Sequence, residues 1–110
     1  MKYLALILIS LNLVACGEYT DENGDALSIT AQAECRIRYA DLLDRAAEIG
    51  IGDPMDKVHE VMGRLPDAGN SFTDTYQAEA FDFNTGRFEV CDEVSFIYTR
   101  HENRVLWIQY

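Results

Sequence analysis

The sequence predicts an α+β domain, two helices packed on one face of a three-stranded antiparallel β-meander. Three observations predict it. Apolar residues recur with helical period over Thr30 to Ile49. A second, shorter helical stretch follows from Asp53 to Pro66 with start and stop residues at its ends. From Thr75 to Tyr110 the period changes to two, with turn residues at even intervals.

The elements follow in order. Ahead of the domain, Lys2 precedes a mostly apolar run from Tyr3 to Val14 that ends in Leu13-Val14-Ala15-Cys16. The run is too short for a permanent membrane span and has the charged start, apolar middle and small-residue end of an export signal. The signal is therefore placed at residues 1–15, with Cys16 as the lipidated first residue of the mature chain; a secretory signal with a bare Cys16 is the alternative. More than one acyl chain on that cysteine gives a stable anchor rather than a span. Gly17, where an inner-membrane retention signal has Asp, favours the outer membrane, facing the periplasm. Residues 16–28 are polar and aperiodic and are expected to be a flexible tether, leaving 29–110 as a single domain. Asp21, Asn23 and Asp25 alternate like the start of a calcium loop, but Ala26 and Gln32 stand where that loop needs Gly and Glu.

In the first helix Cys35, Tyr39, Leu42, Leu43, Ala46, Ala47 and Ile49 share a face, opposite Glu34, Arg38, Asp41, Asp44, Arg45 and Glu48. Gly50 is expected to cap its end. In the second, Asp53 is expected to cap the free amides and Pro54 to take the first helical position. Met55, Val58, Val61, Met62 and Leu65 make the apolar stripe, and Gly63 and Pro66 stop it. His59 and Glu60 fall on the outward arc and are expected to be solvated. After a loop at 67–71, strands are expected at Thr75–Phe83, Phe88–Thr99 and Arg104–Tyr110. Turns at Asn84-Thr85-Gly86 and Arg100–Asn103 join them, with an irregularity near Cys91-Asp92-Glu93 where acids interrupt the apolar run. The last strand is apolar on both faces, so Leu106, Trp107, Ile108 and Tyr110 are the candidate partner-binding residues.

Cysteine count and charge narrow the function. With Cys16 lipidated, Cys35 and Cys91 are an even pair in an oxidising compartment and are expected to form a disulfide, a pair of buried thiols being the alternative. The chain of 110 residues has 9 Lys and Arg against 19 Asp and Glu; only Lys2 leaves with the signal, so the mature chain has 8 against 19, a formal charge of −11. Such a balance argues against nucleic acid or an anionic lipid surface as partner. His59 and His101 have no Ser or Cys nucleophile in a recognisable context, and no phosphate-binding glycine loop or metal-ligand spacing is present. No enzymatic activity, cofactor or metal is expected.

The order of signal, lipid cysteine, polar tether, helices and aromatic strands resembles the SmpA/OmlA (BamE-like) family of small outer-membrane lipoproteins. The likeness rests on Gly52, Val58, Met62, Gly63 and Pro66, followed by Tyr76, Val94-Ser95-Phe96 and Val105-Leu106-Trp107. It implies a fold similar to the repeats of β-lactamase inhibitory protein. It also implies a role as a non-catalytic, protein-binding accessory of outer-membrane assembly or maintenance. An inhibitor or immunity-type module, presenting its acids to a basic cleft of a periplasmic enzyme or phage component, is the alternative.

Overall fold

The computed structural model describes residues 19–110. Cys16 and the expected signal lie outside the described residues. The order is α1 (Ile29–Ala46), α2 (Met55–Met62), β1 (Ala68–Asn70), β2 (Thr73–Asp82), β3 (Arg87–Tyr98) and β4 (Val105–Gln109). The class is α+β, but the sheet has four strands instead of three, ordered β1-β2-β3-β4 with every pair antiparallel. The added strand, β1, is too short to show an alternation. Asn70 pairs with Thr73, and Asn70 Oδ1 accepts from the Phe72 amide at 2.8 Å, closing a tight hairpin inside what the sequence presents as a loop. Gly69, at φ 137°, lets the two backbones approach where a Cβ would strike the Thr73 carbonyl.

Helix α1 starts at Ser28, whose hydroxyl accepts from the Ala31 amide at 3.3 Å. It ends at Ala46 rather than at Gly50, the chain leaving through a turn at Ala47 to Ile49. Asp53 does not cap α2: its carboxylate turns back to the Gly50 amide at 2.8 Å and to Lys57 at 3.1 Å, and Pro54 stands at the N-cap. Gly63, at φ 80°, ends α2 with its amide on the His59 carbonyl.

Both helices cover one face of the sheet. The main core gathers Leu42, Ala46, Ile49, Val58, Met62, Tyr76, Ala78, Val94, Phe96, Tyr98 and Val105. A smaller cluster, Leu27, Ala31, Cys35 and Ala80, lies under the start of α1. Between the two, Cys35 is bonded to Cys91, with their Cα atoms 6.3 Å apart. Cys91 is an extra residue in β3: Ala78 pairs with Asp92 and Glu79 with Val90, so the strand is bulged at the acid-interrupted run. Even-numbered Val94, Phe96 and Tyr98 therefore face the helices on one side of the bulge, while odd-numbered Glu89 does so on the other.

The residues expected as a tether are in part folded. The Leu27 amide donates to the Tyr19 carbonyl at 3.0 Å, and one Asp21 oxygen accepts from the amides of Asn23 and Asp25. The Asp21 carboxylate thus closes a turn on the Asn23 and Asp25 amides, and Leu27 after it is buried.

Candidate docking surface

Strand β4 ends the sheet, so one side of it pairs with β3 and the other is an edge. The start of that edge is occupied: Val105 donates to the Asp53 carbonyl at 2.8 Å and accepts from the Gly52 amide at 2.7 Å. Beyond Val105 the strand continues through Gln109 with its side chains largely in solvent. Trp107 is 59 % exposed, Leu106 55 % and Tyr110 63 %. Ile108 instead packs half-buried against the main core. Of the four candidate partner-binding residues, Leu106, Trp107 and Tyr110 are thus exposed and Ile108 is structural. Trp107 pairs across the strands with Ile97, which lies on the sheet face away from the helices, in line with Thr73 of β2. An open strand edge flanked by an aromatic side chain is suited to adding an extended segment from another protein.

His59 is not solvated as its position on the helix suggests. Its Nε2 lies 2.8 Å from Asp74 Oδ2, and the same oxygen accepts from the Tyr98 hydroxyl at 2.8 Å. Asp74 escapes the sequence pattern because it precedes the first apolar residue of β2; only its register opposite Phe96 shows that it points inward. Burial, then the hydrogen bond to Asp74 and its charge, push the Tyr98 phenol well above its usual range. Tyr76, buried and next affected by the Asp74 charge, is pushed up to about 12, and its hydroxyl donates to the Arg64 carbonyl at 3.0 Å. The trio ties α2 to β2 and β3 through one shared oxygen. None of the hydrogen bonds to it brings in a Ser hydroxyl or a thiol as nucleophile.

A groove of about 610 Å³ runs between α1, the end of α2 and β2. Arg45 binds Asp41 at 3.1 Å and the Val61 carbonyl at 3.2 Å, and Arg64 spans Asp67 and the Gln77 carbonyl over the Tyr76 ring. Arg38 is held by Glu34 at 2.8 Å. The Asp67 carboxyl loses some solvation, which acts to raise it, yet Arg64 and the Gln77 amide hold it below the usual range. With Arg38, Arg45 and Arg64 facing Asp41, Asp67 and Glu79, the lining charges cancel, and the arginines tie α1 to the end of α2 and the segment after α2 to β2.

Among the described residues no cluster of three or more His, Cys, Asp or Glu is arranged to hold a metal, and no helix is long and apolar enough to cross a membrane. In comparisons with known proteins, no family model matches the sequence, and no curated protein and no solved structure matches the chain.

Proposed function

We propose that the chain is a non-catalytic bacterial envelope lipoprotein, anchored through Cys16 on the periplasmic side of the outer membrane. It works as a protein-binding accessory module in outer-membrane assembly or maintenance, in keeping with its resemblance to SmpA/OmlA lipoproteins. The observation that carries this reading is the exposure of Leu106 and Trp107 on edge strand β4 and of Tyr110 directly after it. Large amphipathic aromatics on an open edge contribute strongly to protein interfaces. The test is in-cell crosslinking with a photoreactive amino acid at position 107 of the full-length chain, and at Glu60 on the exposed side of α2 as control. A discrete adduct from position 107 and none from position 60 is expected. A folded, lipidated protein that gives no adduct at position 107 would remove β4 as the docking element.

A second reading, an inhibitor or immunity-type module, is favoured by the exposed acids Asp44, Asp56 and Glu60 on the two helices and Glu48 in the turn after α1. Salt separates the two. Binding through the acids slows steeply as ionic strength rises, whereas docking on β4 does not.

A further inference from the structure

We infer that the tip of the β2–β3 hairpin docks on a zwitterionic lipid surface, the same leaflet that holds the acylated Cys16; this rests on the lipoprotein reading above. The first support is the shortness of the leash. Tyr19 is pinned to α1, its amide donating to Gln32 Oε1 at 2.7 Å and its carbonyl accepting from Gln32 Nε2 at 2.8 Å. Only three peptide units join Cys16 to Tyr19, a reach of at most about 11 Å. The folded domain is therefore held against the headgroups.

The second support is what lies at the pinned end. The Ser28 amide donates to Asp82 Oδ1 at 2.9 Å, the Phe83 amide donates to Ser28 Oγ at 3.3 Å, and Arg87 approaches Glu22 at 3.6 Å. These bonds fasten the hairpin tip to the start of α1. On that tip Phe83 is 70 % and Phe88 66 % exposed, with Val90 also in solvent, and Ile29 is exposed at the start of α1. The Phe81 ring stands edge-on to both, 5.0 Å from Phe83 and 5.4 Å from Phe88, so the aromatics form one patch. Contiguous exposed apolar surface marks an interaction site, and aromatic side chains settle at the membrane–water boundary. The nearby exposed acids Glu22 and Asp25 would be repelled by anionic headgroups, which selects a neutral surface. Trp107, by contrast, pairs with Ile97, nine residues along β3 from Phe88, and so stands roughly 30 Å away from the lipid.

The test uses the full-length acylated chain in phosphatidylcholine vesicles with bromine on the acyl chains. A Phe88→Trp, Trp107→Phe chain is compared with the native one, so each carries a single tryptophan. The indole introduced at position 88 is expected to shift to the blue and to be quenched several-fold more than native Trp107, and Phe83→Asp is expected to abolish that difference. Should the substituted chain fail to fold, photoactivatable lipid on the native chain gives the same answer by mapping label to residues 83–90 rather than 100–110. The mass of the Cys16 peptide is read in parallel. Acylated Cys16 with equal quenching, or with label spread evenly, overturns the docking alone; patch burial that appears only with rising protein concentration overturns it in favour of a second copy. A bare Cys16 overturns the lipoprotein reading and this inference with it.

Discussion

The sheet is four strands wide at one end and two at the other, and the ends are held by different forces. At the wide end β1 and β4 flank β2 and β3, and both helices join the sheet in a core of eleven buried residues. At the narrow end only the hairpin remains, its buried cluster amounts to Leu27, Ala31, Cys35 and Ala80, and its aromatic side chains are outside. There the fold relies on a covalent bond and on a polar latch. Cys35–Cys91 spans the two clusters, and Asp82 accepts from the Ser28 and Asn84 amides. Where apolar burial is thin, specific bonds fix the geometry, and such bonds leave the surface free to be apolar.

The largest effect expected is at the wide end. Phe96 is fully buried edge-to-face with Tyr76, and Phe96→Ala should destabilise the whole domain by about 3–5 kcal/mol in denaturant titration. A loss below about 1 kcal/mol would show that this core is not what holds the two helices on the sheet.

Removing the disulfide, by reductant or by Cys35→Ala with Cys91→Ala, should cost roughly 2–4 kcal/mol. Hydrogen exchange sharpens the contrast: protection should fall over Ala78–Asp92 before Val94–Tyr98. Uniform loss along the hairpin would mean that the staple serves both ends alike.

The smallest effects separate the ends by pH. Desolvation acts to raise the Asp82 carboxyl, but the Ser28 and Asn84 amides outweigh it and hold it below the usual range. Its stabilisation is therefore present above the unfolded value near pH 4 and is lost as pH falls through the folded value. Asp82→Asn should flatten the acid limb of a melting-temperature profile. Tyr76 behaves oppositely: ionised first in the unfolded chain, it withdraws stability as pH rises from about 10 to about 12. Tyr76→Phe should blunt that alkaline loss, and matching profiles for the native and substituted chains would assign the pH limits elsewhere.

Much of this architecture was legible in the sequence because it rests on strong periodicity. The stripe from Met55 to Met62, the αL stop at Gly63 and the hairpin turns after Asp82 and Tyr98 all follow from local preference. The disulfide followed from cysteine parity, and the irregularity near Cys91 from acids breaking an apolar run. Three features were hidden. A three-residue strand carries no period, so β1 read as loop. Asp74 precedes the alternation that starts at Thr75, so the sequence offers His59 no partner. Phe88, Val90, Val94, Phe96 and Tyr98 are all even-numbered and look like one buried row; pairing alone reveals that the first two lie on the opposite side. The signal that could have found this was the cysteine itself, since in an unbroken alternation Cys91 would point away from Cys35. The double-sided last strand reads as one core face and one face left over, without saying which is which; Trp107 and Tyr110 are in solvent, while Ile108 belongs to the interior.

The inserted residue at position 91 thus sets more than a local kink. Absorb that residue into regular pairing, so that Cys91 stood opposite Glu79 and Val90 opposite Ala80, and Phe88 and Val90 would rotate beneath α1 while Glu89 turned outward. The hairpin would then present carboxylate where it now presents phenyl rings. A single backbone unit, rather than any change in composition, decides whether this extremity of the molecule seeks water or avoids it.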